Sequence, residues 1–397
     1  MKKQVFAAFT AFLMALLITS TGCDGSQKGQ TRGLFFGTED NGDTTGGDTG
    51  TGDTGTGDTG TGDTGTGDTG TGDTGTGDTG TGDTGTGDTG TGDTGTGDTG
   101  TTEEGTLRLV FAGDVMMARK VKSSVEDNGG GNYQFCFQYV ADYLRSADFA
   151  FVNLESIISN TGIADSTQLL QGIAFRAVPE AMNGLTFAGI DAVSVANNHA
   201  FDYGRFGFDD CVSRLKAAGI APIGGGSFEE AYTAKIFDVQ GTKVALLGFT
   251  LVGDETSIRA QQTDGGLIAQ TGVAWFYSKY ANPAINAARR NADIVVVSFH
   301  FGAEYATLPN AVQDRFAHQC IDQGAHLVIG HHPHVVQPVM AYAKGYIACS
   351  LGNFIFDQSD PATHRGMILE VLVRDKRIYR VNRKYVQINN LYQPVMQ

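Results

Sequence analysis

The chain has no excess of basic side chains, no apolar stretch long enough to cross a bilayer and no closely spaced pair of cysteines. Of its 397 residues, 28 are Lys or Arg and 43 are Asp or Glu, unevenly placed. Residues 1–104 hold 17 acidic and 4 basic side chains, a net of −13, so residues 105–397 hold 26 and 24, a net of −2. A near-neutral folded part offers no electrostatic footprint for nucleic acid, whose binding rests on neutralising phosphates, and that class is excluded. None of the five cysteines forms a Cys-x-x-Cys, which excludes a thiolate metal motif. A folded part of about 290 residues can bury a substantial core, so a disulfide-stapled mini-protein is excluded too. Cys136, Cys211, Cys320 and Cys349 fall within helical or strand runs and read as buried thiols.

Lys2 and Lys3 precede an apolar run over residues 5–18, too short to span a membrane but suited to a secretory signal. Small residues stand just ahead of Cys23, an arrangement that resembles the lipobox of bacterial lipoproteins, although Ser20 occupies the place usually held by Leu. The resemblance implies cleavage after residue 22, lipidation of Cys23 and anchoring at the membrane; plain secretion is the alternative. From residue 51 to 100 the unit Thr-Gly-Asp-Thr-Gly repeats ten times without one apolar side chain. Such a stretch can bury nothing to offset chain entropy, so residues 23–104 read as a disordered linker and 105–397 as one domain. The linker lacks the nine-residue period and apolar position of a calcium-binding β-roll.

Within 105–397, short apolar runs repeatedly stop at polar donors. Residues 107–112 run into Gly113-Asp114, 149–152 into Asn153-Leu154-Glu155, and 192–196 into Asn197-Asn198-His199. Residues 294–299 run into His300, and 327–329 into Gly330-His331-His332-Pro333-His334. Between them, residues 135–146, 208–218, 282–291 and 311–323 read as helices. Alternating strand and helix predict a largely parallel sheet, whose ligands bind beyond the carboxyl ends of its strands. Carboxylate, amide and imidazole donors meeting there suit Mn, Fe or Zn. Residues 366–374 and 378–387 read as an antiparallel pair finishing a second sheet.

Six segments carry a family likeness: Phe-Ala-Gly-Asp-Val-Met, Val-Asn-Leu-Glu-Ser, Ala-Asn-Asn-His-Ala-Phe-Asp-Tyr-Gly, His-Phe-Gly-Ala-Glu-Tyr, Gly-His-His-Pro-His-Val and Ser-Leu-Gly-Asn-Phe. Over residues 107–357 the sequence resembles the CapA-like proteins of poly-γ-glutamate capsule synthesis, a branch of the calcineurin-like metallophosphoesterases. The resemblance implies an α/β sandwich of two mixed β-sheets flanked by helices, binding one or two divalent metal ions. It implies metal-binding roles for Asp114, Glu155, Asn198, His300, His332 and His334, and a proton-donor or transition-state role for His199. Secondary candidates are His331, Glu304, Asp202 (to orient His199), Asn353 (at the rim) and Arg119, which reads more readily as a solvated charge than as a substrate contact.

Two departures bear on activity. Ordinary metallophosphoesterases begin with Asp-x-His, whereas Asp114-Val115-Met116 puts a thioether in the imidazole's place, and Asn153-Leu154-Glu155 replaces their Gly-Asp motif. The implied function is therefore either metal-dependent hydrolysis or transfer, or a non-catalytic polymer-binding or export role at a degenerate site; a purely structural surface lipoprotein is a third reading. The implied partners are an anionic surface polymer or its precursor and other capsule synthesis proteins, at the bacterial cell envelope.

Overall fold

The computed structural model describes residues 105–397, apart from 165 and 262–269. The signal segment, the linker and Cys23 lie outside the described residues. Runs of Val, Ile, Leu and Phe form buried strands that assemble into two principal sheets. In the first, Leu107–Val115, Phe149–Leu154, Ala192–Ser194 and Ala221–Ile223 lie side by side and parallel. Arg365–Arg374 pairs antiparallel with Leu107–Val115, followed outward by Arg377–Ile388 and Pro394–Met396. The second sheet has Gly345–Ala348, Leu327–His331, Ile294–His300 and Thr242–Thr250 parallel, with antiparallel edges Val339–Tyr342 and Lys235–Val239.

One apolar layer, including Leu109, Phe111, Phe151, Val296, Ile329 and Leu369, unites strands of both sheets in a single core cluster. The remaining faces are covered by helices, among them Gly204–Ala217 on the first sheet's side and Ser278–Asn291 and Ala311–Asp322 on the second's. This is the expected sandwich of two mixed sheets flanked by helices.

Three local expectations need correction. Residues 135–146 do not form one helix: a 3-10 turn, Tyr133–Phe137, is separated from Ala141–Arg145 by a turn over residues 138–140, with Val140 at φ −127°. Aromatic and β-branched side chains lose rotamer freedom in a helix, and this stretch has several. The helix expected from 282 begins at Ser278 and carries Pro283 inside it, held by its buried face of Ala281, Ile285 and Ala288. The C-terminal pair does form a hairpin, but it extends the first sheet, because Val371 and Val373 pair with Leu109 and Leu107 of the first strand. The thiols of Cys136, Cys211, Cys320 and Cys349 are free and buried, as expected.

Candidate metal centre

Asp114 sits at an irregularity of the first strand, where the register shifts between it and Val115. It is wholly buried, and each carboxylate oxygen is in use. Oδ1 accepts from Asn153 Nδ2 at 2.9 Å and lies 3.0 Å from His331 Nδ1; Oδ2 accepts from the His332 backbone N–H at 3.3 Å and lies 3.5 Å from His334 Nδ1. Asn153 Nδ2 also donates to Glu155 Oε2 at 3.0 Å, and Asn197 Nδ2 donates to Asn153 Oδ1 at 3.2 Å. In an extended chain residues i and i+2 share a face, so Asn153 and Glu155 turn inward together.

The second sheet supplies the imidazoles. His300 ends its strand with Nε2 at 2.7 Å from Asn198 Oδ1, and its ring lies 4.9 Å from that of His332. His334 Nε2 is 3.5 Å from Glu155 Oε1, and its Nδ1 is 2.9 Å from Asn353 Oδ1. His332 and His334 have φ of 95° and 59° on either side of Pro333. Left-handed backbone at non-glycine residues costs on the order of 1–3 kcal/mol each and persists where its surroundings enforce it. The turn spends that strain aiming two rings at one place.

Two groups of donors result, each with ligand atoms within 4.8 Å of one another: Asp114, Glu155 and His300, and Glu304, His332 and His334. Five of the six residues singled out for metal binding fall in these groups, and Asn198 joins them through His300. Glu155 Oε1, His331 Nε2 and His332 Nδ1 are buried with no hydrogen-bond partner among the described residues. A buried carboxylate oxygen without a donor is costly, and a cation beside it removes that cost. The donor set and these orphaned atoms therefore fit a divalent metal ion. Met116, by contrast, is buried with its sulfur 3.1 Å from the Ala118 backbone N–H, spent on the chain leading to the helix Arg119–Gly129.

Burial alone would raise the Asp114 carboxyl, but hydrogen bonds and charge from His331 and His334 outweigh it and hold the group well below the carboxylate range. Glu155 goes the other way, pushed well above its ordinary value by burial and then by the Asp114 charge. Burial, with the neighbouring imidazoles, lowers His300 well below its usual value and His332 to about 4, so both rings stay neutral, as ligation requires.

Glu155 ionises in the unfolded chain near 4.5 but only at higher pH in the metal-free fold; between those values the native state holds the extra proton, and stability falls as pH rises. His300 and His332 oppose this, their stability being lost as pH drops below the unfolded imidazole value, so the clean observable is a difference. Glu155→Gln in the chelated protein should gain stability over the wild type as pH rises from about 5 to 7.5, and divalent metal should narrow that gap by stabilising only the wild type. Parallel melting curves across that range would refute it.

His199 stands beside the cluster. Its Nδ1 is 2.8 Å from Asp202 Oδ2, its ring stacks on Phe175 at 3.9 Å and 23°, and Asp202 Oδ2 also accepts the Phe175 N–H at 2.7 Å. Asp202 thus orients the imidazole and also ties the loop to Phe175. Arg119 is not a solvated charge: it forms a two-pronged ion pair with Asp357, donates to the Gly172 carbonyl at 2.9 Å and lies 4.3 Å from the Phe175 ring centre. The stack Arg119, Phe175, His199 had no signal in the sequence, because Phe175 lies outside every polar strand ending. Asn153 and Asn197 were visible within those endings but their bridging role was not. Trp275 packs against the core beside the first sheet, and Phe276 is buried 4.9 Å from Phe299.

Comparison with known proteins adds a family. The profile described as "Bacterial capsule synthesis protein PGA_cap" matches residues 108–358. The chain is 32% identical over 270 residues to the capsule biosynthesis protein CapA of Bacillus anthracis, covering 68% of this chain and 64% of that one. It is 33% identical over 262 residues to the PGA biosynthesis protein CapA of Bacillus subtilis (strain 168), covering 66% of each. A probable polyglutamine synthesis accessory protein of Mycobacterium tuberculosis is 29% identical over 238 residues, 57% of this chain and 60% of that. The chain spans just under two thirds of the length of the first two relatives. Among solved structures, a hypothetical protein from Thermus thermophilus aligns with TM-score 0.45 and 17% identity over 71% of this chain and 99% of that one. A 5'-nucleotidase from Candida albicans aligns with TM-score 0.39 and 12% identity over 72% and 52%.

Proposed function

Because the chain belongs to the bacterial capsule synthesis protein PGA_cap family, we propose that it is a cell-envelope protein of capsule biosynthesis that hydrolyses, or transfers, an anionic surface polymer or its precursor at a divalent metal centre. One observation carries the reading: carboxylate, amide and imidazole groups from five strand ends converge, leaving buried ligand atoms without partners among the described residues. The leader and linker would hold the domain off the membrane through a lipid on Cys23, where other capsule synthesis proteins could reach it.

Asp114, Glu155, Asn198, His300, His332 and His334 would hold one or two ions, with Glu304 at the open side. Such an ion supplies Lewis-acid activation of water and of the bond to be broken. The rest falls to the chain. Asp202 fixes Nδ1 of His199, so Nε2 is the atom that gives a proton to the leaving group, the oxygen of a phosphoester or the nitrogen of a γ-amide. Phe175 covers one face of that imidazole and keeps the ring from turning.

The test is the full chain loaded with Mn²⁺, Zn²⁺ or Fe²⁺ and offered poly-γ-glutamate and phosphoesters. Turnover should appear with at least one metal, vanish on chelation, and drop about 10²–10⁴-fold in His199→Ala. Absence of turnover with every metal, beside intact polymer binding, would leave the binding or export role in its place.

A further inference from the structure

The end of the sandwich opposite the metal centre is basic. Residues 365–384, the C-terminal hairpin and its turn, hold seven Lys or Arg against two acidic residues, so the rest of 105–397 is left with a net of −7. The turn closes over the start of the second sheet, where a cavity of about 530 Å³ is lined by Arg289, Asp293, His326, Lys344, Lys376 and Arg377. Asp293 is the acidic group in this lining and is taken by Lys376 at 3.3 Å. Arg289, Lys344 and Arg377 are exposed and have no acidic partner among the described residues.

His326 is fixed as a donor. Its Nδ1 accepts the Val295 backbone N–H at 2.9 Å, so the neutral ring carries its proton on Nε2. Asp293 and His326 immediately precede strands that finish at His300 and His331. Seven residues of Ile294–His300 at about 3.3 Å each put roughly 20 Å between this cavity and the metal centre. From the cavity, Arg377–Ile388 runs back toward the metal end, since its partner Arg365–Arg374 is antiparallel to the strand bearing Asp114. Arg380 and Lys384 follow on one face of that strand, opposite Leu372 and Ile368, with Arg383 on the other face, over about 23 Å from Arg377 to Lys384.

We propose that this cleft and the cationic strand leading from it form a second binding site, for a linear carboxylate-rich polymer, which grips the chain away from the metal centre. The polymer's identity rests on the function proposed above; the cleft does not. A line of cations beginning in a concave cavity matches a linear polyanion better than a flat bilayer. Of the large exposed apolar side chains, only Tyr379 lies on this hairpin, whereas a membrane-seeking face would carry several.

The test uses the full chain, chelated, titrated into fluorescein-labelled poly-γ-glutamate with fluorescence anisotropy read in about 50 and 300 mM NaCl. Binding should persist without metal, weaken with salt, and fall at least about tenfold in the double reversals K376E/R377E and R289E/K344E. Neutral K376Q/R377Q, which leaves the turn without new repulsion, should give a smaller loss at unchanged melting temperature. Wild-type affinity in both double reversals would overturn the proposal. So would binding to vesicles of phosphatidylcholine and phosphatidylglycerol in place of the polymer. Binding lost in His334→Ala but not in the reversals would sink the cleft and spare the metal centre; absent turnover with intact, charge-dependent binding would do the reverse.

Discussion

Asp114→Ala is expected to lower divalent metal affinity by more than about 100-fold and to destabilise the metal-free fold by several kcal/mol. Loss of outer partners of a metal site already costs about 10–100-fold, and Asp114 belongs to one of the two donor groups itself. The stability term arises separately. With the carboxylate gone, Asn153 Nδ2, the His331 imidazole and the His332 N–H all lose an acceptor in a fully buried place. Each stranded donor costs roughly 1–3 kcal/mol, partly relieved if water enters the space. Asp114→Asn separates the two effects: its amide oxygen still accepts from one neighbour, so more stability should survive than metal affinity. Metal per chain by mass spectrometry and urea melts of chelated protein measure the two quantities. Wild-type metal content in Asp114→Ala would remove Asp114 from the centre, and an unchanged urea midpoint would deny its role in the fold.

Much of this arrangement was legible because strands announce their ends. Asp114, Glu155, His300, His332 and His334 each follow a short apolar run, and a parallel sheet places such endings on one rim. The sequence did not show that the endings come from two sheets facing one another. These runs are nearly all buried and apolar on both faces, so no alternation tells one sheet from the other. Pairings remote along the chain were equally hidden: Arg119 meets Asp357 across 238 positions, and read locally an arginine before a helix is a surface charge. The polar turn Gly330 to His334 suggested ligands but not the backbone strain that aims them, since φ above zero at His332 and His334 is imposed by the surroundings. The hairpin at 365–388 was readable as a hairpin, but which sheet it joins is decided by long-range pairing with the first strand.

The glycines preceding two of these donors give the second large effect. Gly330→Ala should cost about 3–5 kcal/mol and abolish metal binding, and Gly113→Ala should act similarly. A Cβ built on Gly330 would lie 1.9 Å from the Cys349 carbonyl oxygen and 2.9 Å from the Phe301 ring; one on Gly113 would lie 1.9 Å from the Gly352 carbonyl oxygen. Neither glycine has positive φ, so the penalty is steric and not conformational. The obstacles are backbone atoms of neighbouring strands, which cannot swing aside as a side chain would. The Gly352 carbonyl is also the acceptor for the Asp114 N–H at 3.0 Å, and the Gly330 carbonyl accepts from the Leu351 N–H at 3.0 Å. Forcing the strands apart therefore breaks the bonds that fix Asp114 and His331 in register, and overpacking of this kind costs at least about 1–3 kcal/mol even where a core can yield. Gly130→Ala is the comparison, because nothing lies within 4 Å of its Cβ and only its φ of 59° resists the change; it should cost about 1 kcal/mol and leave metal binding alone. Thermal melts with metal titrations on the three variants test the contrast, and a Gly330→Ala protein as stable and as metal-loaded as Gly130→Ala would mean that the close approach of neighbouring strand ends does not build the centre.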